Sequence, residues 1–323
     1  MKILLLGTTG LLGHNVLKQL LFDGHEVVVL LRNPKKLLIE DDRIKVLKGQ
    51  LDLESIRMAA TGCDAIINCA GVTDMSLLSL EDYLPVNAGL AGILVEVMKY
   101  HGIKTLVHTS TANTIGFGTR EKLSDESCPM QHPFDKSYYA VSKLQGESIL
   151  TKTAERCPDW HIVIVNPGFM IGAYDVRPSS GALLLAGFRK PVMAATHGGK
   201  SFVAASDAAR AIVNALCKGR NGERYLLTGS NMSLREFYAL EADTMGYRQA
   251  FVALPNWLVA IAGMLGNVLR MCRIKTQLST RNVRQLMVTE HYDNSKAVRE
   301  LDMPQTPIRV AISDFFGWWG NNK

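Results

Sequence analysis

Residues 2–31 read KILLLGTTGLLGHNVLKQLLFDGHEVVVLL, and no other stretch narrows the possible folds as much. A continuous apolar run suits a strand buried on both faces. Gly7, Gly10 and Gly13 follow at intervals of three, and then Leu12, Val16, Leu17, Leu20 and Leu21 form the apolar stripe of a helix. A second apolar run, Val27 to Leu31, completes a strand–helix–strand unit. In such a unit Gly7 permits a tight turn, Gly10 admits a pyrophosphate to the backbone, and Gly13 lets helix and strand pack closely. The helix N-terminus then faces an anion.

The tip of the second strand selects between the nicotinamide dinucleotides, because an acidic residue there accepts hydrogen bonds from a free ribose 2′-hydroxyl. This chain has Leu31, Arg32 and Asn33 at that place, with Lys35 and Lys36 close behind. A guanidinium suits a 2′-phosphate, so NADP is the preferred cofactor and NAD the other candidate.

Further along, IKVLKGQLDLESI predicts a third strand ending near Asp52 and Leu53, and CDAIINCAG a fourth running into Ala70 and Gly71. TLVHTSTANTIG and WHIVIVNPGFMIG predict a fifth and a sixth, with helical patterns such as Val86 to Tyr100 between them. The alternation predicts an α/β, Rossmann-type doubly wound parallel sheet whose ligand crevice lies at the strands' carboxyl ends. Residues 1–170 read as the cofactor domain, and 171–323 mostly as a smaller C-terminal substrate-binding region. KSFVAAS and ERYLLTG, near 201–228, read as strands returning to the sheet, and Leu234 to Met245 as a helix.

Hydrophobic residues make up 47% of the 323 and charged residues 20%, which excludes a disordered chain. The net charge of +6 comes from basic residues spread along the sequence rather than clustered with aromatics. An anionic cofactor or substrate accounts for it, and nucleic-acid binding has no support. Cys63, Cys69, Cys128, Cys157, Cys217 and Cys272 form no C-x-x-C pair, and no His cluster has metal-ligand spacing. They read as reduced packing thiols, with no metal expected. Met1 leads into an apolar run too short for a signal-peptide core, so the expected location is cytoplasmic and the expected state a monomer or homodimer. Ala250 to Leu269 is a run of twenty residues without a charge, but Pro255, Asn256, Gly263, Gly266 and Asn267 interrupt it. It reads as a pocket wall or a peripheral membrane contact rather than a span, and membrane contact is not the favoured reading.

SYYAVSKLQGE places Tyr139 and Lys143 four apart, on one face of a helix, with Tyr138 turned about a hundred degrees away. Taken with GTTGLLG at 7–13, QLDL at 50–53, NCAG at 68–71, VNAGLAG at 86–92, HTSTANTIG at 108–116, YAVSK at 139–143 and NPGFMIG at 166–172, the chain resembles the extended short-chain dehydrogenase/reductase family, which includes the NAD-dependent epimerases and dehydratases. The resemblance implies a catalytic Tyr139, Lys143 and Thr111, with Ser110 as the rival to Thr111. It implies a cofactor set of Gly7, Thr9, Gly10, Leu11, Leu12 and Gly13 at the turn and Arg32 and Lys36 at the strand tip. Asp52 and Leu53 would flank the adenine, Ala70, Gly71, Asn87 and Thr109 would line the middle, and Pro167 and Gly168 would lie by the nicotinamide. Asp207 is expected as a helix N-cap.

Reducing a ketone needs a proton donor at the developing alkoxide. A phenol serves if a neighbouring ammonium brings its pKa down from about 10, the role expected of Lys143. Thr111 would hydrogen-bond the same oxygen. Ala112 and Asn113 stand where the family's dehydratases carry an acidic pair, which counts against elimination chemistry. VIVNPGFMIGAYDVRPSSG resembles the dihydroflavonol-reductase and 3β-hydroxysteroid-dehydrogenase branch, implying a bulky apolar carbonyl or alcohol, with Met170, Tyr174 and Arg177 near the pocket mouth. The alternatives are an NAD-retaining sugar-nucleotide epimerase and an NADP-binding sensor or assembly protein without turnover.

Overall fold

The computed structural model describes residues 1–321 apart from 177, 273, 275 and 277. The first unit folds as expected, with β1 (Lys2–Leu6), α1 (Leu11–Phe22) and β2 (Glu26–Leu31). Then come β3 (Ile44–Lys48), α2 (Leu53–Ala59), β4 (Ala65–Asn68), α3 (Leu90–His101), β5 (Thr105–Thr109), α4 (Tyr138–Arg156) and β6 (His161–Pro167). The chain continues through β7 (Phe169–Ile171), α5 (Gly181–Gly187), β8 (Val192–Ala195), β9 (Gly199–Ala204), α6 (Ala205–Asn214) and β10 (Arg224–Leu227). β11 (Ser230–Ser233), α7 (Leu234–Met245), β12 (Ala250–Ala253), α8 (Asn256–Met271), α9 (Thr280–Arg284), α10 (Ser295–Leu301) and α11 (Ile308–Asn321) complete it.

Seven parallel strands form the central sheet in the order β10-β6-β5-β4-β1-β2-β3. The winding reverses between β1 and β4, so the crevice opens at their carboxyl ends. β1 is apolar throughout because successive side chains feed opposite cores. Ile3 and Leu5 pack with Val16, Leu20 and Ile212 of α1 and α6, while Leu4 and Leu6 pack with Ile56, Leu94 and Leu150 of α2, α3 and α4. A third core, centred on Phe202 and Phe237 with rings stacked at 4.1 Å, joins β7 and β9 to α5, α7 and α11.

Several expectations are corrected here. WHIVIVNPGFMIG is two strands, not one: it leaves the central sheet after Pro167, and β7 pairs with β9 instead. KSFVAAS does not return to the central sheet, because β9 is held between β7 and β11, and only ERYLLTG, as β10, pairs with β6. The third strand stops at Lys48, and Asp52 lies beyond it as the N-cap of α2. The run 250–269 divides at Pro255 into β12, paired with β8, and α8; among the described residues no helix is long and apolar enough to cross a membrane.

Asp207 is not a helix cap. Ala204 occupies that position, and the Asp207 carboxylate instead accepts from the Thr306 N–H and hydroxyl, both at 2.7 Å. It ties the segment entering α11 to α6. Asp207→Ala is expected to lower unfolding free energy by about 1–3 kcal/mol, read from urea denaturation. An unchanged midpoint would remove this tether.

Candidate active site

Gly7 has φ +82°, and a Cβ there would overlap the backbone of Cys69 and Ala70. The turns after β1 and β4 thus touch backbone to backbone where the sheet reverses. A Cβ on Gly13 would come within 2.7 Å of the Gly7 carbonyl carbon, so its absence seats α1 on the turn. Gly10 differs, since a Cβ there would meet only the Gly7 oxygen, at an ordinary 3.7 Å. Nothing in the protein requires glycine at Gly10, and the backbone there is left open to a close approach. Gly10 is the N-cap of α1 and offers no side-chain cap, and the first turn holds no acid. These features fit a dinucleotide pyrophosphate. Thr9 is half-buried beside the turn, while Leu11 and Leu12 are buried.

Arg32 and Lys36 are exposed, and among the described residues neither forms an ion pair. The turn between them is set by Asn33, which accepts from the Lys35 N–H at 3.1 Å. Asp52 caps α2 by accepting from the Ser55 N–H at 2.8 Å, and Leu53 begins that helix, half-buried. The Ala70 N–H donates to Asn68 Oδ1 at 3.0 Å, and Asn68 in turn contacts His108 Nδ1 at 3.1 Å. Pro167 is buried at the end of β6, and a Cβ on Gly168 would lie 2.7 Å from the Ser201 oxygen.

Lys143 is 3% exposed, and its Nζ donates to the Thr109 carbonyl at 2.9 Å. Gly71 lies against it, since a Cβ there would be 2.9 Å from Nζ. Asn87 sits in a π-helical turn, Pro85–Gly89, and clamps Val72: its Oδ1 accepts from the Val72 N–H at 2.8 Å, and its Nδ2 donates to the Val72 carbonyl and to Ser142 Oγ, both at 3.0 Å. Asn87 therefore shapes the loop over the site. α4 approaches this turn because residue 146 is glycine; a Cβ there would be 2.5 Å from the Asn87 oxygen.

Tyr139 stands beside Thr111, whose Oγ1 accepts from the Asn113 N–H at 3.3 Å. The Ser110 hydroxyl is buried without a partner, so Thr111 rather than Ser110 is brought to the phenol. Burial pushes the Tyr139 phenol above its ordinary pKa, opposed by the Thr111 hydroxyl. The expected lowering by Lys143 is absent: its ammonium is committed to the Thr109 carbonyl, and burial brings that amine itself down to about 8, opposed by Cys69 and Glu147.

Sequence reasoning missed Glu147, buried one turn beyond Lys143. It accepts from Thr114 Oγ1 at 2.6 Å and Asn166 Nδ2 at 2.7 Å, while Arg224 Nη1 stands 3.6 Å away. Asn166 also donates to the Thr111 carbonyl at 3.1 Å, so this network holds the Thr111 loop to the helix that carries Tyr139. The i, i+4 spacing from Lys143 was the available signal. Met170 and Tyr174, expected at a pocket mouth, are used in packing. Met170 lies against the core under α1 and α6, and Tyr174, at φ +72°, stacks on His14 at 5.4 Å and sits tilted against Trp318 at 5.7 Å. Arg177 lies outside the described residues. Tyr138 is no idle neighbour, because the Arg281 guanidinium sits 3.6 Å above its ring.

Gly10→Ala is expected to hold the unfolding free energy to within about 1 kcal/mol, because the position is extended and open, yet to weaken dinucleotide binding more than about tenfold. Gly13→Ala should lose both. Equal dinucleotide titrations for Gly10→Ala and the parent would remove the pyrophosphate from this turn.

Residues 3–227 match the model of the NAD dependent epimerase/dehydratase family. A Synechocystis sp. protein provisionally named dihydroflavonol 4-reductase is 28% identical across 98% of this chain and 94% of its own. Sterol demethylase protein B of Methylococcus capsulatus is 27% identical across 99% of this chain and 98% of its own. Among solved structures, gox2253 superposes with a TM-score of 0.82 at 22% identity, covering 99% of this chain and 98% of that one, a likeness of fold. The chain belongs to the NAD dependent epimerase/dehydratase family and is a nicotinamide-dinucleotide-dependent oxidoreductase of the extended short-chain dehydrogenase/reductase type.

Proposed function

We propose that this protein is an NADP-dependent reductase of bulky, apolar, ring-bearing carbonyl compounds, with Tyr139 as the proton donor. The observation that carries the reading is the half-buried Tyr139 phenol on α4, beside Thr111 and one turn from the buried Lys143. A phenol held neutral is an acid at working pH, which suits a reaction that ends by protonating an alkoxide. Bound NADPH supplies the hydride. Tyr139 gives its proton to the carbonyl oxygen while the Thr111 hydroxyl donates a hydrogen bond to the same atom. Lys143, an ammonium below about pH 8, holds the Thr109 carbonyl at the start of the loop that carries Thr111.

Elimination would need a second acid–base pair, and Ala112 and Asn113 supply none after Thr111. The two relatives matched over nearly their whole lengths are named for conversions of a dihydroflavonol and of sterols, which supports a fused-ring substrate class. The unpaired Arg32 supports a 2′-phosphate on the cofactor.

Tyr139→Phe should lower kcat by about a thousandfold or more with NADPH affinity nearly unchanged, read over a panel of steroid, flavonoid and other cyclic ketones. Substantial residual turnover would take the proton donor elsewhere. Arg32→Ala should weaken NADPH at least about tenfold while leaving NADH nearly unaffected. Equal losses for the two cofactors would sink the 2′-phosphate assignment.

A further inference from the structure

The outer face of α8 is open to solvent in a way that no pocket wall requires. Trp257 is 62% exposed, Met264 59%, Leu265 62% and Val268 57%, and Leu258, Ile261, Leu269 and Met271 are exposed beside them. The inner face is narrow. Val259 is buried there, and Gly263 and Gly266 press the helix onto its neighbours: a Cβ on Gly263 would lie 2.6 Å from Val283 of α9, and one on Gly266 would overlap the Leu278 backbone. The helix is thus held tightly on one side while its large apolar residues point out, an unusual arrangement for a soluble surface.

Charge identifies the occupant. From Thr244 to Thr289 the chain contains Arg248, Arg270, Arg273, Lys275, Arg281 and Arg284 and no Asp or Glu. Arg270, Arg281 and Arg284 line a cleft of about 480 Å³ with Met271, Lys136 and His132, and Tyr138 joins the same wall. Apolar side chains bearing a tryptophan, on a segment whose charged residues are all basic and whose neighbouring acids are Asp74, Asp82 and Asp135, match the boundary of a bilayer with anionic headgroups. A second copy of the chain matches less well, because a two-fold contact through this face would set one predominantly basic rim against another.

We propose that the α8 face is a monotopic membrane-binding surface: Trp257, Met264, Leu265 and Val268 enter the acyl boundary of an anionic bilayer, and the Arg270, Arg281 and Arg284 rim meets its headgroups. The sequence reading placed membrane contact behind a pocket wall, and the exposure of the helix reverses that order. The α8 face and the glycine turn are built from different segments, residues 256–271 and 7–13, so binding to lipid and binding to cofactor are separately measurable.

The test is cosedimentation of the full chain with vesicles of phosphatidylcholine alone and of phosphatidylcholine containing phosphatidylglycerol. The parent should partition onto the anionic vesicles at least about tenfold more strongly than onto the neutral ones, and lose this preference in high salt. Met264→Glu/Leu265→Glu should lose at least about tenfold in vesicle binding, and Arg284→Glu should lose the preference for anionic lipid, both with unchanged dinucleotide titrations. These residues are exposed, so an intact dinucleotide titration also reports an intact fold. Absence of binding to either vesicle, or equal binding by the double variant, overturns the proposal. So does a concentration-dependent dimer, formed without lipid, that the double variant abolishes.

Discussion

A buried lysine organises this site. Lys143 is almost fully excluded from water and needs an acceptor, which it finds in the Thr109 carbonyl at the end of β5. To reach it the side chain runs past Gly71, where any Cβ would intrude, and under the Asn87 turn that α4 meets only because residue 146 is glycine. Lys143 thus joins the end of β5 to α4, while Asn87 joins the loop after β4 to the turn before α3 and to Ser142 of α4. Tyr139, a turn earlier on α4, inherits that position, and Thr111 is brought to it by the chain that continues from Thr109.

A second buried charge secures the arrangement from behind. Glu147 joins α4 to Asn166 and Thr114, and Asn166 holds the Thr111 carbonyl. Removing one member would leave another buried and unsatisfied, so the network resists partial loss. At the other end of the crevice the Gly7 turn rests on the backbone of Cys69 and Ala70. The Gly7 turn and the loop leading to Gly71 and Lys143 are consequently one packed unit, and a dinucleotide lying across the sheet reversal would touch both.

The C-terminal third is built differently. β10 repairs the edge of the central sheet, whereas β7, β9 and β11 make a small sheet with a core of its own around Phe202 and Phe237. Asp207 links this region to α6 through Thr306, so the smaller unit is tied to the helix layer of the larger. α8 and α9 stand outside these cores, bearing apolar residues to solvent and the basic residues that reach Tyr138.

The sequence by itself determined the doubly wound sheet, the glycine turn and the placing of Tyr139 and Lys143 one turn apart on a helix. Those features depend on spacing within a few residues, where backbone geometry leaves little freedom. Leu234 to Met245 was legible as a helix for the same reason. Only the tertiary structure decided what long-range contacts control: that the sixth strand divides at Gly168, that Asp207 binds Thr306 rather than capping its own helix, that Thr111 and not Ser110 meets the phenol, and that Tyr174 stacks on His14. In each case two local solutions were chemically equal, and packing against residues distant in sequence chose between them. The uncharged run 250–269 is the extreme case, because a pocket wall and an outward apolar face share one composition and differ only in which side of α8 the rest of the chain covers.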